Sequence, residues 1–82
     1  MTLHETAKLF IKKNECNLYA ADIPCSVIIF GHKVDVESIW HEKNSGSIYI
    51  HCGCKEFEGD IDIQSLSEDN KTELMKIFEA HI

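Results

Sequence analysis

Four cysteines, five histidines and fourteen acidic side chains are the residues of this 82-residue chain whose types could do chemistry. Cys52 and Cys54 form a C-x-C pair, and Cys16 and Cys25 stand well upstream. If Cys25, Cys52 and Cys54 share one face of a sheet, three thiolates with Cys16 as a fourth ligand would suit Zn²⁺. The spacing lacks the paired C-x-x-C knuckles of zinc sites, and a buried cysteine packs well as a small apolar residue. Packing is therefore the expected role. A second set, His41, His51, Glu58 and Asp60 with Tyr49, brings imidazoles, a phenol and carboxylates together, suited to proton transfer or a divalent cation. A third, Glu56, Glu58, Asp60 and Asp62, alternates along the chain. On a strand its members project about 6.8 Å apart, too far for one ion to gather several. Such alternation is expected to guard a terminal edge strand against pairing with another sheet. The chain carries no nucleophile elbow, phosphate-cradling glycine loop or dinucleotide fingerprint, so no cofactor is expected and catalysis is not.

These groups act only where the backbone puts them. Thr2 and Glu5 form a capping box, and Leu3, Ala7, Phe10, Ile11 and Asn14 follow helical spacing, which predicts a helix over roughly 3–15. Residues 16–24 read as an irregular linker closed by Pro24. Near the other end Ser65 or Ser67 is a candidate N-cap, Glu68 and Asp69 suit a helix start, and Leu74, Ile77, Phe78 and Ile82 give an apolar stripe.

Between the helices the period is two. Gly31-His32 predicts a two-residue type II′ hairpin pairing Phe30 with Lys33 and Val27 with Val36. Asn44-Ser45-Gly46 predicts a three-residue loop pairing Lys43 with Ser47, hence Trp40 with Ile50 and His41 with Tyr49. A loop at 53–56 would pair Cys52 with Phe57 and Ile50 with Gly59. The expected core is Val27, Ile29, Val34, Val36, Trp40, Ile48, Ile50, Phe57, Ile61, Leu74, Ile77 and Phe78. Cys25, Cys52 and Ser38 are expected on that inner face, with the two cysteines flanking Ser38. The outer face is expected to carry Ile28, Phe30, Ile39 and Tyr49 as an apolar centre bordered by His41, His51, Glu58 and Asp60. That is the anatomy of a protein interface, unless the first helix covers it.

The result is one α+β domain over 1–82, a four-stranded antiparallel meander flanked by two helices in the order α-β-β-β-β-α. That order is similar to double-stranded-RNA-binding domains, which run α-β-β-β-α. The chain has no Arg and no basic start to its second helix, which excludes their function. The segment FEGDIDIQSLSEDNKTELMKIF, residues 57–78, resembles short uncharacterised bacterial proteins in which an acidic last strand leads through an S-L-S cap into a final helix. The resemblance spans about a quarter of the chain and implies that fold ending and no activity.

Charge narrows the partners. The net charge is −6, with residues 1–41 near neutral and residues 42–82 holding nine of the fourteen acids. Nucleic-acid affinity rests on Lys and Arg at phosphates, so no nucleic-acid partner is expected. No apolar run approaches the ~20 residues of a membrane span, so no membrane partner is expected either. The start of the chain lacks a basic-then-apolar leader pattern, and with unpaired thiols expected this suggests a reducing cytoplasm. The leading expectation is a small acidic, non-catalytic protein-interaction module. It would bind a protein partner or itself, as a homodimer, through the outer sheet face. A metal-binding or minor enzymatic role through His41, His51, Glu58 and Asp60 is the alternative, and an acidic decoy for a basic nucleic-acid-binding surface is a third.

Overall fold

The computed structural model describes residues 1–53, 55 and 57–82. Cys54 and Glu56, with the C-x-C pairing and the start of the acidic alternation that rest on them, lie outside the described residues. The elements run α1 (Leu3–Lys13), β1 (Ser26–Ile29), β2 (His32–His41), β3 (Ile48–Gly53), β4 (Glu58–Asp62), a 3-10 turn (Ile63–Ser65) and α2 (Glu68–Ala80). The strands form one antiparallel sheet in the order β1-β2-β3-β4. The fold is α+β with the element order expected.

Local chemistry sets the ends of the helices. Thr2 caps α1 with its side chain accepting from Glu5 N–H at 3.1 Å, and the Glu5 carboxylate accepts from Thr2 N–H at 3.0 Å. Those hydrogen bonds hold the Glu5 carboxyl below its ordinary range. Lys12 and Lys13 complement the other end of the helix dipole. Ser67 caps α2 by accepting from Asn70 N–H, and Glu68 and Asp69 sit at its positive end. Asn14 ties the two helices together, donating to the carbonyls of Phe10 and His81.

Both helices cover the same face of the sheet. Phe10 and Phe78 meet with ring centroids 4.8 Å apart above Val27, Val34, Val36, Ile39, Ile48, Ile50 and Ile63, all buried. Burying side chains of this size contributes about 1.5–3 kcal/mol each, the main driving term of so small a domain. Leu74, Leu18, Ile23, Leu66, Ala7 and the two cysteines Cys25 and Cys52 complete the core. Ile29, Phe57, Ile61 and Ile77 pack against its margin, half-buried rather than central. Ile28 and Phe30 stay on the outside, 54% and 91% exposed, so the first helix does not lie over them.

All three hairpin registers differ from expectation, and the turns explain how. The first loop is Phe30-Gly31, with φ of +51° and +80°, both left-handed as in a type I′ turn. Ile29 therefore pairs with His32 and Val27 with Val34, a shift of two residues that leaves the faces unchanged. The β3–β4 register also moves by two, so Cys52 meets Gly59 and Ile50 meets Ile61. The middle hairpin moves by one. Its loop is four residues, because the Glu42 carboxylate accepts from the N–H groups of Asn44 and Ser45 while Glu42 N–H donates to Ser47. These donors hold the Glu42 carboxyl below its ordinary range.

A one-residue shift inverts a strand, and a β-bulge accommodates it. Between Val36 and Ser38 the register slips, so that Glu37 and Ser38 together oppose His51. Before the bulge Val34 and Val36 point into the core; after it Ile39 does, and Trp40 turns outward. Trp40 pairs with Tyr49, not Ile50, and is not a core residue. Ile39, expected on the outer patch, is 0% exposed. Ser38 joins His51 on the outer side, and the two cysteines Cys25 and Cys52 flank Val36 instead.

The linker explains why the bulge sits there. β1 reaches only the first half of β2. Beyond it, residues 16–18 return to the same edge: Ile39 N–H donates to Cys16 C=O, Leu18 N–H donates to Glu37 C=O, and Asn17 bridges Ser38. Leu18 and Ile23 close the detour into the core through an Ile23 N–H to Leu18 C=O bond. The expected irregular linker thus serves as a substitute strand at the bulge.

Candidate aromatic–acidic docking site on the open sheet face

The outer face presents an aromatic pair beside a polar chain. Trp40 and Tyr49, opposite each other on β2 and β3, stack with centroids 4.8 Å apart and planes 23° apart. Trp40 Nε1 donates to Asp60 Oδ1 at 3.3 Å, and the same oxygen lies 3.1 Å from His51 Nδ1. His51 Nε2 faces Glu37 Oε2 at 3.9 Å. Four side chains from three strands therefore run Trp40–Asp60–His51–Glu37, with Tyr49 on the tryptophan face.

The bulge builds this row. It places Glu37 on the same side as His51, and Gly53 makes room for it: a Cβ there would collide with the Glu37 carboxylate. Alternation along β3 sends Tyr49 and His51 outward while Ile48, Ile50 and Cys52 turn inward. Asp60 and Asp62 stand opposite His51 and Tyr49 on β4. Tyr19, on the linker, is exposed beside this face. Desolvation, then the charges of Asp35 and Glu37, raise its phenol above the ordinary value.

Of the expected outer-face residues, His51, Asp60 and Tyr49 come together as a unit. Glu58 is exposed on β4 one row beyond, opposite Gly53. His41 does not belong to the set. The bulge turns it to the helix side, where its ring lies 6.2 Å from that of His4 and walls a depression beside α1. Ile39 is core. Ile28 and Phe30 are exposed as expected, but at a separate corner. Ile28 pairs with Lys33, seven positions along β2 from Trp40, about 23 Å at the rise of a strand. An apolar centre with a polar border is therefore not what the face carries. It has an aromatic–acidic patch at one end, a hydrophobic hairpin tip at the other, and charged Lys33 and Asp35 between.

Trp40 is the residue that sequence reasoning missed. No turn signal marks a bulge, and Trp40 sits among positions that would otherwise alternate into the core. Phe30 carries a signal of a different kind. A bulky side chain in the left-handed region is costly, and strain of that sort concentrates at functional positions.

Chemically the patch can receive a cation. Indole and phenol faces attract Lys or Arg side chains, and the carboxylates of Asp60, Asp62 and Glu37 supply the opposite charge. Among the described residues no three His, Cys, Asp or Glu side chains gather as a metal-ligand set. Cys25 is buried, and its thiol is pushed up to about 12 by desolvation first and by Cys52 second, which keeps it protonated and unreactive at neutral pH. No helix among the described residues is long and apolar enough to cross a membrane. Comparison with protein-family models, with curated proteins and with solved structures finds no match, so the reading of this site stands on its own geometry.

Proposed function

We propose that the protein is an acidic, non-catalytic interaction module that docks a basic protein surface on its open sheet face. The observation carrying this reading is the half-buried Trp40–Tyr49 stack on the outer face, joined to Asp60, His51 and Glu37. Aromatic anchors within a polar border are the residues that dominate binding energy at protein interfaces. A Lys or Arg of the partner would lie over the ring faces and reach Asp60, whose Oδ2 makes no bond among the described residues. Phe30 and Ile28, at the hairpin tip, would provide a second apolar contact for an extended partner.

Capture experiments test this with three baits: the wild type, Trp40→Ala/Tyr49→Ala, and Glu73→Lys on the exposed side of α2. A specific partner is retained by the wild type and the α2 variant, lost by the double variant, and released as salt screens the carboxylates. Equal capture by all three baits would overturn the proposal.

A further inference from the structure

The sheet face has a counterpart on the opposite pole of the same molecule. Thr6, Ala7 and Phe10 turn α1 toward the sheet, which leaves Lys8, Leu9 and Lys12 on its solvent side. Among the described residues no ion pair engages Lys8, Lys12 or Lys13, whereas Lys71 and Lys76 of α2 pair within their own helix. Leu9 is 44% exposed, and with Met1, Ile11, His41, the two lysines and one carboxylate, Glu5, which also accepts from Thr2 N–H, it borders an open depression of about 540 Å³. A second apolar depression continues from Leu9 and Lys12 to Lys13 and Ile82. In a chain of net charge −6, this helix face is locally basic and apolar at once.

The two poles match in charge and in pitch. Lys8 and Lys12 lie one helical turn apart, about 6 Å along the axis. The carboxylates of Glu58, Asp60 and Asp62 repeat about every 6.8 Å along β4. A helix laid along β4 brings both lysines to successive carboxylates and sets Leu9 toward the Trp40–Tyr49 stack. We propose that the sheet face of one copy binds the α1 face of a second copy, head to tail. This inference rests on the docking role of the sheet face and names its occupant. Two different surfaces meet, so the contact is heterologous, and each copy keeps one unused face for the next.

Sedimentation of the full chain up to roughly 1 mM, the range of weak docking, tests the arrangement. A sheet-face variant, Tyr49→Ala/Asp60→Asn, removes one surface, and a helix-face variant, Lys8→Glu/Lys12→Glu, removes the other. The wild type is expected to exceed about twice the monomer mass, since a heterologous contact does not stop at two. Each variant alone stays monomeric. Their equimolar mixture reaches about twofold and no further, because only one competent interface remains. Adding Glu58→Lys/Asp60→Lys to the helix-face variant restores association by exchanging the charges, which guards against a loss caused by misfolding. A monomeric wild type, association of either variant alone, or a mixture and charge exchange that both stay monomeric overturns the head-to-tail contact. If the wild type is monomeric while capture still depends on Trp40 and Tyr49, only the occupant is wrong. If capture ignores those residues, the docking role itself falls.

Discussion

Asn70 holds the backbone of Ile28 with two hydrogen bonds: its amide donates to Ile28 C=O at 2.8 Å and its carbonyl accepts from Ile28 N–H at 2.9 Å. Ile28 lies on the outer edge of β1, where both groups would otherwise lack a strand partner. The buried carboxamide, 4% exposed, stands in for a residue of a neighbouring strand and pins the start of α2 to the sheet. Unsatisfied buried polar groups cost about 1–3 kcal/mol each.

Asn70→Ala should therefore cost about 2–3 kcal/mol in urea unfolding, more than its loss of contact area warrants. Asn70→Asp should be less stable than the wild type at pH 7 and recover part of the difference on acidification. A carboxyl buried against Ile28 C=O has its folded pKa raised, so its stabilising, protonated form prevails at low pH. A difference from the wild type that is constant with pH would exclude this account of the contact.

Ile39 and Trp40 separate the observed register from the expected one. Ile39→Ala removes a fully buried side chain and should cost about 2–5 kcal/mol. Trp40→Ala should cost less, about 1–2 kcal/mol, for the aromatic stack, a surface hydrogen bond and the part of the ring that is buried. Chemical denaturation of the two variants decides between the registers, since the unbulged register predicts the reverse order.

What was legible in the chain follows from the same pair. Both caps and the order of elements could be read because Thr2, Glu5 and Ser67 act within a few residues of themselves. The inward sides of Val34, Val36, Ile48 and Ile50 could be read because shifts of two preserve a face. The bulge could not. It depends on residues 16–18 pairing with β2 at Glu37 and Ile39, a contact between distant parts of the chain that leaves no local mark. For that reason His41 and Ile39 both left the outer face where they were expected, and Trp40 took a place on it. Asn70 was likewise hidden, because a helical Asn carries no sign of the strand edge it serves.

Cys25 and Cys16 should differ sharply in reactivity. Cys16 is exposed, whereas the Cys25 thiol is pushed up to about 12 by burial. Alkylation at pH 8 followed by peptide mapping should modify Cys16 first, with Cys25 protected until the protein unfolds. The sign of the linkage follows. A thiol whose folded value is raised favours the fold while protonated, so its contribution is complete at neutral pH and is lost as pH rises from about 9 toward 12. Cys25→Ala should flatten that part of the stability profile, and an unchanged alkaline profile would show that other groups govern it.

Phe30 joins stability to docking. It occupies the first central position of a type I′ turn with φ of +51°, where Asn, Asp or Gly are preferred, and its ring is 91% exposed. An L-residue in this region costs about 1–2 kcal/mol, and the side chain recovers almost nothing from the folded protein in return. Phe30→Asn creates Asn-Gly, the pair best suited to the turn, and should raise stability by about 1 kcal/mol. The same substitution should weaken capture of a partner that reaches the hairpin tip, leaving contacts at Trp40 and Tyr49 intact. Thermal unfolding and the capture assay measure the two effects side by side. A gain in stability with undiminished capture would confine the docking surface to the aromatic–acidic patch, and no gain in stability would mean that the turn does not strain Phe30.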